Sequence, residues 1–517
     1  MLSHVALSQL GSFIKSLSLA EKEYYLKMQR LYAGQSLHVR LFTYLNEQPQ
    51  AAAPAIMEVL GVRSPSQFTN IKNQLLQSLL DALVYRTRQT NLQTSLQQQW
   101  LHTEQLLEKR QMGLATRQNK KALLQALHLH SYPLAIQLIE QQQRILHLSR
   151  DGQYTDELEE LARQWRHTVA CLQLLGEIKQ IYSQLIALAR ESPIRYSEAQ
   201  LQAVQAWDQN LSQLKETGLS NEYIRMFWLA ATIKSAFLQR QYGQAAQLGA
   251  DFQQVLAAQP YFAVISPFIF LETANTLFYN LFAQGKTEAV MHDLALLDAF
   301  AAQHLNKEWL HKWEAIVLHT RLKIAHKQAN YDQVAAILAP YEALTLRQQH
   351  MFSLSEQLNF LCSLAISHFV LEAYDAADAQ MHEVKHLNAT AGREDILYFS
   401  SLFHLLVLFE KKDWYQLDIN VQITYQALYA RRKLRPFEKE LVLFIKKLSS
   451  LRQQAQMEAA ARTFLEKLSA FSNPEAQQLY FPYFNYPAWL ASKAAGCSYR
   501  QHCEQTYHGQ QAANSAA

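Results

Sequence analysis

The residues best suited to chemistry are two histidines four positions apart, His382 and His386, with Glu383 between them. On a helix, side chains at these positions face the same side, so both imidazoles can bind one zinc ion while the glutamate acts as a general base. A third ligand is then needed, and Glu394 and Glu410 are the carboxylates available downstream. This arrangement is typical of zinc-dependent hydrolases, and it is the strongest catalytic motif in the chain.

Three features of the same segment favour an ordinary helix. The residues that repeat at helical spacing and would pack inward are Ala377, Met381, Val384 and Leu387. The histidines then lie at the flank of this apolar face. The positive charge of Lys385, one residue from a potential ligand, opposes the binding of a divalent metal ion. In a chain with 19 histidines, such a short pattern also arises by chance. We therefore predict a metal-free protein that is not an enzyme, with no catalytic residue, no metal ligand and no cofactor.

A second set of metal-binding residue types lies near the C-terminus, at Cys497, His502, Cys503 and His508. Their spacing matches no compact zinc-binding loop. The segment from Gly496 onward is polar, and we expect a loosely ordered tail.

Basic residues cluster in two places. The first cluster, opposed only by Glu104 and Glu108, consists of Arg86, Arg88, Lys109, Arg110, Arg117, Lys120 and Lys121. The second, opposed only by Glu438 and Glu440, consists of Arg431, Arg432, Lys433, Arg435, Lys439, Lys446, Lys447 and Arg452. Such clusters could meet the phosphates of a nucleic acid or an acidic peptide. Charge runs on helices are more often solvated faces, and the formal net charge of the chain is only +4.

The composition indicates helix nearly throughout. Only 13 glycines and 12 prolines punctuate 517 residues, too few for the tight turns of a large sandwich or barrel. Hydrophobic residues make up 49% and charged residues 18%, which supplies a buried interior and excludes global disorder. The chain is too long for one core, since cores stop growing at roughly 250–300 residues.

We expect the chain to lie in the cytoplasm. Met1–Phe13 has neither a basic start nor a continuous apolar core, so no secretory signal is predicted. The strongest apolar run, Leu402–Phe409, is well short of the roughly 18 residues that indicate a membrane span. The four cysteines are too few for a disulfide framework and indicate a reducing compartment. Cys171 and Cys362 fall in helical apolar stripes and should pack as small hydrophobic residues.

Helix starts and a repeat can be read along the chain. Ser18 and Glu21 form a capping box, and Ser64-Pro65 opens another helix. An aromatic residue followed three positions later by a small or apolar one then recurs in polar turns, at Tyr132, Tyr242, Tyr331, Tyr374 and Trp414. The turn at Gly285-Lys286 lacks its aromatic, and from Tyr242 onward the steps are 40–45 residues, each holding two helices. A fixed period of this kind is typical of a solenoid.

The paired helices and the turn signature resemble the tetratricopeptide repeat family over residues 120 to 467, although that repeat is only roughly 34 residues long. The two ends resemble an uncharacterised family of long bacterial all-helical repeat proteins. The matching residues are Ser16-Leu-Ser-x-Ala-Glu-Lys-x-Tyr24, Tyr483-Phe484 and Trp489-Leu490-x-Ser492-Lys493. The resemblance implies a helical-repeat fold and gives no indication of any activity.

We therefore predict an all-α, right-handed α-solenoid of antiparallel helix pairs. The expected organisation is an N-terminal helical region (1–120), the repeats (121–470), an aromatic C-terminal cap (471–495) and a polar tail (496–517). The residues of the cap are Tyr480, Phe481, Tyr483, Phe484, Tyr486 and Trp489. The expected function is a scaffold that binds a protein or peptide partner in a groove lined by one helix of each pair. A nucleic-acid-binding repeat using the two basic clusters is the alternative, and a zinc hydrolase at His382 and His386 comes last.

Overall fold

The computed structural model describes residues 6–32, 36–87, 92–149, 155–191, 196–216, 221–347, 351–391, 393–430, 436–451, 453–470 and 484–516. Within these ranges the chain forms 25 helices and no strand, which confirms the all-α prediction. The chain divides into two compact units, Met1–Gln173 (unit 1) and Leu174–Ala517 (unit 2). None of the described helices is both long and apolar enough to cross a membrane.

The helices of unit 1 are α1 (Leu7–Ser16), α2 (Leu19–Tyr32), α3 (Leu37–Glu47), α4 (Ala53–Leu60), α5 (Pro65–Thr87), α6 (Leu92–Glu108), α7 (Met112–His128) and α8 (Tyr132–Leu148). Residues of α9 (Thr155–Glu191) belong to both units. Unit 2 continues with α10 (Glu198–Glu216), α11 (Glu222–Leu238), α12 (Tyr242–Ala258), α13 (Tyr261–Ile265), α14 (Pro267–Ala283), α15 (Thr287–His304), α16 (Lys307–Lys327) and α17 (Tyr331–Arg347). It ends with α18 (Leu354–Val370), α19 (Tyr374–Ala391), α20 (Glu394–Lys411), α21 (Trp414–Ala430), α22 (Pro436–Ser450), α23 (Gln454–Ala470), α24 (Tyr486–Ala494) and α25 (Tyr499–Ala516).

Unit 1 contains two main apolar cores, one formed by α1 to α5 and one by α6, α7, α8 and the start of α9. In the first core Tyr25 packs on Phe42, with ring centroids 4.7 Å apart. The predicted capping box starts α2, since the Ser18 N–H donates to Glu21 at 2.7 Å and the Glu21 N–H donates to the Ser18 hydroxyl at 3.3 Å. The helix α5 begins at Pro65, as predicted. The boundary expected at residue 120 lies inside α7 and stays a prediction.

From α11 to α21 in unit 2, two kinds of helix alternate. The helices α11, α18 and α20 are buried almost all round, and no side chain from Ile396 to Phe409 in α20 is exposed. The helices α12, α17, α19 and α21 bury one face only. In α19 that face is the predicted one, with Ala377, Met381 and Val384 buried and Leu387 partly buried. Each all-buried helix packs on the one-faced helix that follows it.

Seven turns in the described ranges share one geometry. Two positions before the next helix begins, a residue adopts a left-handed φ between 48° and 76°, at Arg110, His130, Arg240, Gly285, Ala329, Glu372 and Lys412. At the last of these turns the Lys412 N–H donates to the Phe409 carbonyl (3.1 Å) and the Asp413 N–H to the Leu408 carbonyl (3.0 Å), and the same pair closes the other six. This closure satisfies carbonyls that the helix end leaves unpaired. The helices that follow begin at the predicted aromatic residues in five of the turns, at Tyr132, Tyr242, Tyr331, Tyr374 and Trp414.

Other helices cover the all-buried helices of unit 2. The end of α9 and the helix α10 lie on α11 and α14. The Trp228 indole N–H donates to the Leu211 carbonyl at 2.8 Å, and Arg190 forms an ion pair with Glu272 at 3.2 Å. Little surface of the all-buried helices is therefore exposed on this side.

The segment at α24 covers α18 and α20. Phe484 packs on Phe403 with ring centroids 4.9 Å apart. Trp489 is fully buried, and its indole N–H donates to Glu410 at 2.6 Å. The burial expected of the aromatic cap is confirmed at Phe484, Tyr486 and Trp489, whereas Tyr480, Phe481 and Tyr483 lie outside the described residues.

The segment after Gly496 forms the helix α25, so the expectation of a loosely ordered tail is wrong. Tyr499 packs on Phe369 with ring centroids 5.9 Å apart. Arg500 forms an ion pair with Asp332 at 3.2 Å, across 168 positions of sequence. The polar composition of this segment suggested disorder, but a helix needs only a narrow apolar face to pack against its neighbours.

Lowering the pH to about 4 is expected to destabilise unit 2 through two histidines. His319 is buried and bonds to the Tyr341 hydroxyl at 2.9 Å, and burial holds its pKa well below the ordinary value. His326 bonds to the Ser367 hydroxyl at 2.9 Å, and burial lowers its pKa to about 4. The unfolded chain takes up these protons near pH 6.5, so the free energy of unfolding holds above that pH and falls between about 6.5 and 4.

Denaturant unfolding at a series of pH values measures this effect. The His326→Gln variant keeps a polar side chain that does not titrate, and it should show a flatter decline between pH 6.5 and 4 than the unmodified chain. An identical decline in both proteins would contradict a His326 that is neutral and shielded from solvent in the folded chain.

Candidate functional site

A polar cluster joins α19 to α20. Asp378 and His382 lie one turn apart on α19, and His404 lies on α20. The His404 Nε2 is 2.7 Å from Asp378 Oδ1, and the His382 Nε2 is 3.5 Å from the same oxygen. The two imidazole rings are 5.1 Å apart, and one donor atom from each residue lies within 4.8 Å of the others. We call Asp378, His382 and His404 the Asp378 cluster; it is the one grouping of three or more such donors among the described residues.

His404 is the most deeply buried member of the cluster, because it lies within the apolar run of the buried helix α20. Its side chain is 1% exposed, so both ring nitrogens need partners inside the protein. Burial, together with the nearby charge of Lys385, lowers the pKa of His404 to about 4. The ring is therefore neutral at ordinary pH. The Nε2–H donates to Asp378, and Nδ1 accepts a hydrogen bond from the Lys385 ammonium.

Two lysines flank the cluster. Lys385 also lies 3.5 Å from the Asn420 side-chain oxygen of α21, and burial lowers its pKa to about 8. Lys411 pairs with Asp378 Oδ2 at 2.9 Å and with Asp375 at 3.0 Å. Burial by itself would raise the pKa of Asp378, but the hydrogen bonds from Lys411 and His404 outweigh it and hold that pKa below its ordinary value. Asp378 is thus a carboxylate with one oxygen facing the lysine and one facing the histidines.

The structure does not assemble the site that the His-Glu-x-x-His pattern predicted. His382 belongs to the Asp378 cluster, but His386 and Glu383 do not, and both are exposed. Glu410 accepts from the Trp489 indole and pairs with Lys493 at 2.7 Å, so it is committed elsewhere. The side chain of Glu394 lies outside the described residues.

The C-terminal cysteines and histidines likewise form no group of three donors within the described residues. Cys503 is partly buried near Tyr331 and Tyr499, and burial raises the pKa of its thiol. Cys171 and Cys362 are buried in helices, as predicted.

The basic clusters are described only in part. Arg88, Arg431, Arg432, Lys433, Arg435 and Arg452 lie outside the described residues. In the first cluster Lys120 lies 3.8 Å from Glu157, with both side chains largely exposed. In the second, Glu440 pairs with Lys467 of α23 at 2.7 Å. Glu440, one of the two carboxylates expected to offset the second basic cluster, is therefore paired with a lysine from a different helix.

A second feature of unit 2 is an apolar stripe on α21, a helix whose opposite face is already buried. Tyr415, Ile419 and Ile423 follow each other at four-residue spacing and are 75%, 37% and 56% exposed. Leu417 and Val421 face the core. We call the three exposed residues the α21 stripe; their spacing places them on one side of the helix. On soluble proteins, contiguous apolar patches larger than roughly a few hundred Å² mark interaction sites, whereas single exposed apolar residues are ordinary.

Comparison with known proteins finds no matching family model, no matching curated protein and no matching solved structure. The chain is thus assigned to the class of all-helical proteins by its described helices alone.

Proposed function

We propose that the chain is a non-catalytic helical-repeat scaffold that binds a protein partner through the α21 stripe. The observation that carries this proposal is the exposure of Tyr415, Ile419 and Ile423 on a helix that already buries its other face. Fully burying an isoleucine side chain contributes about 1.5–3 kcal/mol, and a partner that covers the part of each side chain still exposed gains a corresponding share of that free energy.

The docking surface in this proposal differs from the groove expected of a solenoid. That groove would be lined by the first helix of each pair, but α11, α18 and α20 expose almost nothing. The end of α9 and α10 lie against α11 and α14, and the segments at α24 and α25 lie against α18 and α20. The second helices remain open to a partner, and α21 carries the apolar stripe on its outer side.

The same proposal includes the architecture of unit 2 as a right-handed solenoid similar to tetratricopeptide repeats. It is supported by the common turn geometry at Arg240, Gly285, Ala329, Glu372 and Lys412, in steps of 40–45 residues. A repeated turn keeps successive helix pairs in the same relation to their neighbours. We propose a cytoplasmic location, which is consistent with four free thiols.

The proposal is tested by a double substitution, Ile419→Lys with Ile423→Lys. Both side chains are exposed, so the variant should fold, while two buried charges at the interface should abolish partner binding. The matched control is Leu124→Lys, which changes an exposed leucine of α7 in unit 1. Proteins that copurify with the tagged chain from lysate, with and without nuclease treatment, are measured by quantitative mass spectrometry.

We expect one partner to be retained by the unmodified chain and by Leu124→Lys, and lost from the double variant. Retention by the double variant would contradict the proposal. Loss of all binding on nuclease treatment would favour the nucleic-acid alternative instead, as would binding that weakens steeply with salt.

A further inference from the structure

We propose that Asp378, His382 and His404 form a binding site for a divalent transition-metal ion of the zinc class, which links α19 to α20. This inference does not depend on the scaffold function. It departs from the expectation of a metal-free chain, which weighed His382 with His386 and the C-terminal cysteines and histidines but did not weigh Asp378 or His404.

The spacing of the donor atoms carries the inference. A zinc ion at about 2.0–2.1 Å from each donor holds tetrahedral donors about 3.4 Å apart. Asp378 Oδ1 lies 2.7 Å from His404 Nε2 and 3.5 Å from His382 Nε2, so these two distances lie on either side of that spacing, and all three donors lie within 4.8 Å of one another. Rotation of the exposed His382 side chain brings its Nε2 to the ion. The hydrogen-bonded pair of Asp378 Oδ1 and His404 Nε2, 2.7 Å apart, must open by about 0.7 Å to reach the tetrahedral spacing.

Neighbouring residues fix the positions of two of the three donors, His404 and Asp378, in the absence of an ion. His404 is buried in α20, and Asp378 is 14% exposed and held at Oδ2 by Lys411. A partner on the second carboxylate oxygen fixes the orientation of a ligand, as second-layer contacts do in metalloproteins. His382 is 68% exposed and leaves a path from solvent. Two imidazoles and one carboxylate suit zinc, nickel or copper, and three protein ligands leave a coordination position open.

Lys385 is the feature that opposes the ion. Its ammonium donates to His404 Nδ1, so binding of the ion at Nε2 requires a proton on Nδ1 and movement of Lys385 toward Asn420. A positive charge this close also repels a dication. We therefore expect weaker binding than at a closed four-ligand site. Removing the charge should tighten binding, which makes Lys385→Met an informative variant.

The test uses Co2+ as a probe on the untagged full chain, with visible absorption reporting tetrahedral coordination. The unmodified protein should bind one Co2+ in this form, and Zn2+ should displace it. His382→Ala should lose that ion. The matched control His386→Ala removes the other exposed histidine one turn further along α19 and should keep it. Lys385→Met should bind the same ion at least about tenfold more tightly.

Thermal unfolding provides a second readout, because an ion bound only by the folded state raises the unfolding midpoint. Zinc should raise the midpoint of the unmodified chain and of His386→Ala, but not that of His382→Ala. The proposal is overturned if no tetrahedral Co2+ band appears, or if His382→Ala keeps it. Equal loss of Co2+ binding in His382→Ala and His386→Ala would also overturn the proposal and would indicate an adventitious ion only. The proposal is likewise overturned if Lys385→Met binds Co2+ no more tightly than the unmodified chain does.

Discussion

Replacing Trp489 with alanine is expected to lower the free energy of unfolding by about 3–5 kcal/mol, the usual cost of truncating a fully buried aromatic residue. Trp489 is completely buried, its ring packs on Phe409 with centroids 5.7 Å apart, and its indole N–H donates to Glu410. The change therefore leaves a cavity and removes a hydrogen bond to a carboxylate that is 13% exposed. Such a loss is a large part of the stability of a domain.

Hydrogen exchange measured by mass spectrometry locates the damage. Because α24 packs on α20 as well as on α23, exchange should rise first in α20, α23, α24 and α25 and leave α5 protected. Trp414→Ala is the matched control, since Trp414 also packs on Phe409 at 5.7 Å but is 46% exposed. Unchanged exchange in Trp489→Ala would show that this aromatic residue does not close the core.

Deleting the segment from Gly496 to Ala517 is expected to destabilise unit 2 by at least about 3 kcal/mol, judged from the apolar side chains it uncovers. The deletion removes Tyr499 from the face of Phe369 and Arg500 from Asp332. From the sequence alone, this deletion would have been expected to do almost nothing.

Chemical denaturation of the shortened chain measures this loss as a lower unfolding midpoint. The control carries Gln505→Ala and Gln510→Ala, which change only exposed positions of α25 and should leave the midpoint where it is. A deletion with the same midpoint as the full chain would restore the original expectation of a tail without a structural role.

Local patterns in the sequence predicted the helices well because their signals are local. Tyr132, Tyr242, Tyr331, Tyr374 and Trp414 each begin a helix, and the apolar face of α19 is the one that its spacing indicates. A turn residue followed by a helical apolar pattern requires nothing from the rest of the chain.

Three features could not be predicted in this way. The left-handed turn residues are glycine only at Gly285, so most of these turns carry no compositional signal. The pairing of Arg500 with Asp332 depends on how distant helices pack. The Asp378 cluster likewise joins residues 26 positions apart on two helices, and its only sequence signal is a histidine within the apolar run of α20.

Crosslinking in living cells shows directly whether the α21 stripe receives a protein partner. A photoreactive residue is placed at Ile423 or, as the control, at Leu124 of α7, both exposed. We expect illumination to join one discrete protein to the chain through position 423 and not through position 124. No crosslinked species at 423, or the same species at both positions, would contradict it.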